Sequence, residues 1–374
     1  MKERNRAIDI LKIIAIILVV LGHTHSIPGA TWLEYHFPIY SYHMALFLFA
    51  SGYLFKDIEW RDFGRYVWRK TTTLALPLIG WNFVYAAILT LINLRHPANY
   101  LPPTAQIWNL HDLFVEPFIG GHQYILNLAT WFVGMLYLTL LVFALFHLLS
   151  KRLPDWSILL VYLCLAFFAL YSATLQLPGR GFLVLERIAY ALFFVQLGRC
   201  FRIYIEPHLQ TKYIVCLLPI VFVAWYLVML NGNHLYVLAW MNFEGAIVRP
   251  VLGALFACLF WMLVCILFAK LIPANKTETT LSLSTWSIMT HHLLVRFLFC
   301  WAFVHFFPNP AMREWFANDF WFFPQGIGLY IAAVLLEIGL PCLWQIVFDS
   351  IKNQLTRISL CISCLLRRSC PRSY

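Results

Sequence analysis

Charged residues are scarce in this sequence of 374 residues, since Asp, Glu, Lys and Arg make up only 12% of it. A soluble domain usually carries about 25% charged residues, and a chain with half that share could not cover its own surface with polar groups. Hydrophobic residues supply 61% of the chain and aromatic residues 17%, and Trp and Tyr gather at membrane interfaces. The composition therefore excludes a soluble globular protein and indicates a chain whose main solvent is lipid.

The first 26 residues lack the full pattern of a cleavable signal peptide. The basic residues Lys2, Arg4 and Arg6 precede an apolar run, as in a signal peptide. However, no small-residue cleavage site follows, and Asp9 and Lys12 interrupt the start of the run. The first 26 residues are therefore predicted to form a retained first helix.

The ten cysteines show no pattern of a disulfide framework, because most of them lie in or at the edges of apolar segments. The tail has a CxxC at Cys361 and Cys364 and a further Cys370, but no histidine stands nearby. We therefore predict no metal site. The basic, partly apolar tail is instead typical of a segment that lies on the inner leaflet.

Ten segments are long and apolar enough to cross a bilayer, which takes about 20 residues of helix. The sequence predicts an all-α, polytopic integral membrane helical bundle over residues 1–350, followed by a basic, Cys-containing cytoplasmic tail over 351–374. It contains no internal repeat and no matched pair of Gly/Pro-broken helices, which argues against an inverted-repeat transporter. The predicted transmembrane helices are 8–26, 38–55, 72–94, 124–149, 156–175, 182–200, 212–231, 248–272, 282–307 and 324–348.

The distribution of Lys and Arg predicts the orientation, because cytoplasmic loops carry an excess of these residues. With the N-terminus inside, 20 of them fall in cytoplasmic segments and only three, Arg95, Arg180 and Arg313, in outer loops. Both termini are therefore predicted to be cytoplasmic. The net charge of +10 then reflects topology and attraction to membrane lipid, and we predict no nucleic-acid partner.

The first predicted helix carries the densest set of ionisable groups. A helix advances about 100° per residue, so Lys12 and His23 lie only about 20° apart in azimuth, and Asp9 lies about 40° from His23. His25 lies about 200° round and faces elsewhere. Lys12 and His23 are separated by a rise of about 16 Å, with the cation near the inner leaflet and the imidazole nearer the outer one.

Such a stripe has several interpretations. Lys12 can extend to the inner headgroups and His23 can be a satisfied interfacial residue. Alternatively, the stripe holds a long cofactor with its anionic end inside, or it forms a proton path. These residues alone leave all three open.

Other predicted helices also carry ionisable groups, which are functional candidates by default. His43 lies in the second. The ninth contains His291 and His292. His292 and Arg296 are four residues apart and share one face of this helix, and the spacing fits a structural role and a functional role equally well. Glu337 in the last helix is predicted to make a polar contact between helices.

Several motifs together resemble the membrane-bound acyltransferase family 3, in particular its compact bacterial branch of sugar O-acetyltransferases that are similar to fucose O-acetyltransferase. That family opens with a basic residue, usually Arg, followed by ten residues and a His, and Lys12 and His23 match this spacing. The resemblance covers about the first 85 residues well and the rest by scattered motifs. Further motifs similar to the family's are His43–Phe47, Ser51–Phe55, Arg69-Lys70 with Leu76-Pro77 and Trp81, Thr130–Val133 and Ser287–His291.

The resemblance implies transfer of an acyl group, most simply acetyl from acetyl-CoA, to a hydroxyl of a cell-envelope carbohydrate. The partners expected are an acyl-CoA, an envelope glycan or lipid-linked sugar, and the lipid of the bacterial inner (plasma) membrane. No cofactor is expected to be bound permanently, since the acyl-CoA is a donor substrate. The alternatives are a transporter or proton-coupled carrier with an intramembrane charge relay, and a non-enzymatic scaffold.

The resemblance and the stripe also imply site residues. His23 is expected to take the proton of the acceptor hydroxyl, and an acyl-histidine intermediate is the other way it could act. The remaining expected catalytic residues are Asp9, His43 and His291, and those expected to bind the acyl-CoA donor are Lys12, Arg69 and Lys70.

The orientation can be tested with a reporter that works only in the cytoplasm. Fused after residue 352 it should give signal, and fused at residue 105 it should not, because the basic loops are predicted to stay inside. A silent fusion at 352 together with an active one at 105 would overturn the orientation.

Overall fold

A computed structural model describes residues 4–23, 31–95, 108–121, 124–176, 179–230, 236–243, 245–307, 316 and 327–368. Within these residues the fold is helical apart from one short hairpin, which confirms the predicted all-α, polytopic class. The helices of the first half are α1 (Arg6–Gly22), α2 (Thr31–His36), α3 (His43–Tyr53), α4 (Trp60–Lys70), α5 (Leu76–Arg95), α6 (Leu110–Phe114), α7 (Glu116–Ile119), α8 (Trp131–Leu149) and α9 (Asp155–Thr174).

The second half continues with longer helices. The hairpin pairs β1 (Tyr236–Val237) with β2 (Asn242–Phe243) in antiparallel register, Tyr236 opposite Phe243. Single turns of π-helix, Thr71–Ala75 and Phe201–Ile205, join α4 to α5 and extend α10. The helices are α10 (Arg180–Cys200), α11 (Thr211–Val228), α12 (Val248–Leu271), α13 (Lys276–Leu283), α14 (Thr285–Phe306) and α15 (Ile327–Arg368).

Eight helical segments among the described residues are long and apolar enough to cross a membrane, and each coincides with a predicted transmembrane helix. Length and hydropathy are the two sequence properties that identify membrane-spanning helices. The segments are Trp60–Leu94, Ile125–Leu149, Asp155–Thr174, Gly181–His208, Thr211–Val228, Val248–Leu271, Thr285–Phe306 and Ile327–Lys352.

The first two predicted helices are shorter than these eight, and most of their residues are buried. Helix α1 has 17 residues, and α3 has only 11, which is about 16 Å of helix. Pro38 and a 3₁₀ turn at Ile39–Ser41 occupy the start of the predicted segment 38–55, so the helix begins only at His43. Non-helical backbone at membrane depth is tolerated where protein covers it. The number of crossings therefore stays a prediction.

Helix α1 runs through the centre of the structure. It packs against α3, α12, α13 and α14, and residues such as Leu11, Ala15 and Ile16 are fully buried. Asn5 caps its first turn by accepting a hydrogen bond from the Ile8 N–H at 3.2 Å. Arg6 pairs with Glu278 of α13 at 2.7 Å. These contacts fix the inner end of the helix that carries Lys12 and His23.

The last helix continues past its predicted membrane-spanning part. Helix α15 has 42 residues and runs without a break across the predicted boundary between 350 and 351. The tail therefore begins as an extension of the last helix, and the division at this residue stays a prediction. The C-terminal cysteine Cys370 lies outside the described residues.

Helices α3 and α10 approach each other closely at two glycines. A Cβ added at Gly52 of α3 would overlap the carbonyl of Val195, and one added at Gly198 of α10 would overlap the carbonyl of Phe49. Small residues allow such close backbone contact where helices pack inside a membrane. The two glycines are thus the reason that the short α3 can lie directly on α10.

Replacing Gly198 by Ala should therefore separate the two helices. We expect a loss of about 1–3 kcal/mol in stability from overpacking, measured as a lower thermal midpoint of the purified protein in detergent. Gly64→Ala is the matched control, because nothing lies within 4 Å of a Cβ at Gly64 of α4. Equal midpoints for the two variants would contradict the packing argument.

Candidate active site

His23 lies directly after the last residue of α1. Its backbone N–H donates to the Val19 carbonyl at 3.2 Å, and its side chain is half-buried. The Tyr40 hydroxyl lies 3.4 Å from its Nδ1, and the two rings meet edge to face with centroids 6.1 Å apart. The imidazole is therefore held at the C-terminal end of α1, and that this end faces outward stays a prediction. His25 lies outside the described residues.

A second imidazole lies against His23. His292 of α14 is completely buried, and its ring centroid is 5.3 Å from that of His23. Its Nδ1 lies 2.8 Å from the Ile288 carbonyl, so Nδ1 carries the proton and Nε2 carries the lone pair. The Nε2 atom has no hydrogen-bond partner among the residues that the structure describes. The site thus contains a buried acceptor beside His23.

A buried ion pair holds the backbone of His23. Arg296 of α14 forms two parallel bonds with Glu337 of α15, Nε to Oε1 at 2.6 Å and Nη2 to Oε2 at 2.9 Å. Its Nη1 donates to the backbone carbonyl of His23 at 2.9 Å. The predicted contact of Glu337 between helices is confirmed, and through Arg296 it joins α14 and α15 to the end of α1.

His43 also contacts Tyr40. Its Nδ1 lies 2.7 Å from the carbonyl of Ile39, and its ring meets that of Tyr40 edge to face with centroids 5.3 Å apart. The structure thus brings both His23 and His43 against the ring of one tyrosine. His43 is positioned to act through Tyr40 and makes no direct ring contact with His23 among those described.

His291 faces a different cavity. Its Nδ1 bonds to the Tyr85 hydroxyl at 3.0 Å, which itself donates to the Thr290 carbonyl at 2.8 Å. The Trp81 ring lies edge-on at 4.3 Å between centroids. The cavity is about 430 Å³ and is lined by α5, α14 and α15, with His291 on its wall. The structure therefore does not bring His291 to His23, because adjacent residues on a helix diverge by about 100°.

Asp9 and Lys12 lie at the inner end of α1, where they pair with each other at 3.1 Å. Asp9 also accepts bonds from Arg4 and from Ser282, both at 2.8 Å. Asp9 therefore neutralises two cations about 20 Å of helix away from His23. The predicted stripe lies on one helix, but its members form two separate groups.

Arg69 and Lys70 lie in the last turn of α4, on the predicted cytoplasmic side. The guanidinium of Arg69 and the ammonium of Lys70 each lie 5.6 Å from the centroid of the Tyr66 ring. Arg69 also lines a cavity of about 530 Å³ that has three cationic and two acidic residues on its wall: Lys56, Arg65, Arg69, Asp57 and Asp62. This excess of cations suits an anionic group.

A polar cluster lies far from these groups, between α6 and α7. The Nδ1 of His111 is 3.4 Å from Oδ1 of Asp112 and 4.0 Å from Oε2 of Glu116. Three ligand atoms at this spacing could hold a metal ion, and without one the Asp112 carboxylate can accept a hydrogen bond from the imidazole N–H. The prediction that the protein needs no metal stays a prediction.

Sequence reasoning did not select three groups of this site. Tyr40 was not selected because the candidates were charged residues and histidines in predicted helices. The bond from Arg296 to the His23 backbone has no signature in the sequence. His292 had one signal, its i,i+4 spacing from Arg296 inside a predicted membrane helix. The motif that ends at His291 directed attention to its neighbour instead.

Removing one partner of the Arg296–Glu337 ion pair should lower the free energy of unfolding. Glu337→Gln would leave the Arg296 guanidinium buried without its carboxylate, for which we expect a loss of about 3–5 kcal/mol, seen as a lower thermal midpoint and a lower yield. The matched control is Glu59→Gln, which breaks the exposed 2.9 Å pair with Lys151 and should leave the midpoint unchanged. Similar midpoints for both variants would show that the pair does not hold the site together.

Comparison with known proteins identifies the family of the chain. The sequence profile of a family of acyltransferase domains, acyltransferase 3, matches residues 5–333. The nodulation protein NolL of Sinorhizobium fredii (strain NBRC 101917 / NGR234) is 31% identical over 156 residues, which span 40% of this chain and 39% of that protein. No solved structure matches the chain. Because the family profile covers most of the chain, including α1, α3 and α14, the protein belongs to the acyltransferase 3 family of membrane acyltransferases.

Proposed function

We propose that this membrane acyltransferase moves an acetyl group from acetyl-CoA to a hydroxyl of a cell-envelope carbohydrate, in the inner membrane of a bacterium. The observation that carries the proposal is the layout of α1. One helix holds a cation at its inner end and an imidazole at its outer end, about 16 Å apart. That distance is comparable to an extended pantetheine arm, which would join an anionic nucleotide on the inside to a thioester near His23.

The cations on the inner side would bind the donor. Acyl-CoA carries phosphates, which pair well with Arg and Lys. Lys12 and Arg4 share Asp9 at the inner end of α1. Lys56, Arg65 and Arg69 line the cavity beside α4, and Lys70 follows in the same turn. The donor is a substrate in this scheme, so no bound cofactor is needed.

The imidazole of His23 would act on the acceptor. A sugar hydroxyl is a weak nucleophile until its proton is removed, and imidazole can remove it near neutral pH. The hydroxyl oxygen attacks the thioester carbonyl carbon, a C–O bond forms and the C–S bond breaks. His23 takes the hydroxyl proton and returns it to the departing thiolate, so the products are the ester and free CoA. Lipid-linked sugars and envelope glycans both offer such hydroxyls.

The predicted assisting residues take smaller parts. His43 contacts Tyr40, whose hydroxyl is within 3.4 Å of His23 Nδ1, so it would act on the orientation of that ring pair. Asp9 would set the position of Lys12 by its 3.1 Å ion pair. His291 lies in the neighbouring cavity with Trp81 and Tyr85 and would have to act from there.

His23→Ala should abolish acetylation of the glycan while the protein still inserts normally. A positioned imidazole contributes about 10² to 10⁴-fold to a step of this kind. The measurement is mass analysis of surface glycans from a deletion strain complemented with each variant, together with release of free thiol from acetyl-CoA by its membranes. The control is His305→Ala, which removes an exposed imidazole at the outer end of α14.

Two results would overturn this proposal. Normal glycan acetylation by His23→Ala, at equal protein content, would remove the assigned base. Glycans unchanged by deletion of the wild-type gene, with solute uptake lost and no thiol released, would favour the transporter instead.

A further inference from the structure

His292 is built to present a lone pair at a fixed place. The bond from its Nδ1–H to the Ile288 carbonyl, at 2.8 Å, sets both the tautomer and the orientation of the ring. The ring is completely buried, so it cannot turn to water to satisfy Nε2. Leaving a buried acceptor without a donor costs about 1–3 kcal/mol. A donor on a neighbouring side chain would remove that cost.

The ring next to that lone pair belongs to His23. The centroids are 5.3 Å apart and the planes are tilted by 39°. Two imidazoles joined edge to edge by an N–H···N bond of about 3 Å have centroids a little over 5 Å apart. The 5.3 Å between the centroids therefore matches such a bond, which would form if the half-buried His23 ring turned an N–H toward His292 Nε2.

The surroundings fix the backbone and leave the His23 ring as the part that turns. Arg296 lies four residues after His292, on the same face of α14, and holds the carbonyl of His23 at 2.9 Å. Glu337 neutralises Arg296 through two bonds. A neutral acceptor is thus placed against His23 while the ion pair holds the frame.

We propose that His292 is the positioning residue of the transfer reaction, with its Nε2 accepting the N–H of the His23 imidazole. This inference rests on the proposed function and adds a second histidine to it. The bond holds His23 in the tautomer whose free nitrogen faces the acceptor hydroxyl. When His23 takes the hydroxyl proton, its positive charge is stabilised by the lone pair of His292. The proton then leaves with the thiolate, and both rings return to their neutral forms.

Two substitutions separate this role from simple packing. Phe fills the place of the ring but has no lone pair, whereas Gln carries an amide oxygen near the position of Nε2. In a completely buried place, a packing role favours Phe, because the amide of Gln brings polar atoms that need partners. A positioning role favours Gln. The rank order of the two variants is therefore the readout.

The experiment measures thiol release from acetyl-CoA by membranes that contain equal amounts of each variant, with the host's glycan as acceptor. We expect His292→Phe to lower kcat by about 10 to 10²-fold with little change in KM for acetyl-CoA. His292→Gln should retain most of the activity that His292→Phe loses. Thr290→Val is the matched control, because it removes an equally buried hydroxyl from the same helix and should stay near wild type.

Each contrary outcome has a distinct meaning when His23→Ala is measured in parallel. If His23→Ala is inactive and His292→Phe is as active as His292→Gln, or more so, the positioning role of His292 is wrong and the proposed function stands. Equal losses in both His292 variants also contradict the role. If His23→Ala is active, the assigned base is wrong, and the role of His292 is wrong with it.

Discussion

The buried ion pair between Arg296 and Glu337 is the interaction on which the rest of the site depends. Burying a carboxylate and a guanidinium costs several kcal/mol each, and only good geometry with further hydrogen bonds offsets that cost. Here two parallel bonds join the pair, and a third guanidinium N–H reaches the carbonyl of His23. The bond to His23 satisfies a carbonyl at the end of α1, where the helix itself supplies no partner. The charges thus determine where the imidazole lies.

Much of the fold could be predicted because lipid imposes a length on the helices that face it. Eight predicted segments coincide with long apolar helices of the structure. Helix α3 shows where this rule ends. Its residues are mostly buried in protein, so its composition is as apolar as that of a spanning helix. Its length is not set by the thickness of the bilayer, and it has only 11 residues. Its contact with α10 depends on Gly52 and Gly198, and hydropathy carries no information about such contacts.

The azimuth and the rise of the candidate residues along α1 could be predicted, but their partners could not. The periodicity of α1 placed Asp9, Lys12 and His23 on one helix, yet it could not show that Asp9 pairs with Lys12 at the inner end. On α14, two adjacent histidines differ by about 100° in direction. Which of them meets His23 depends on the rotation of the helix, and that rotation is fixed by Arg296 and its partner on α15. The sequence alone could not show that His292, and not His291, contacts His23.

The chemistry of the surroundings explains why a histidine, and not a carboxylate, suits the place beside His23. In water-exposed enzymes an Asp commonly orients a catalytic imidazole and stabilises its charge. Inside a membrane protein, a second carboxylate next to Glu337 would need its own cation or would suffer the cost of an unpaired charge. The neutral imidazole of His292 offers a lone pair without a charge, and a backbone carbonyl is enough to fix its tautomer. Arg296 and Glu337 then keep their pairing, and in the proposed mechanism the one new charge is the transient one on His23.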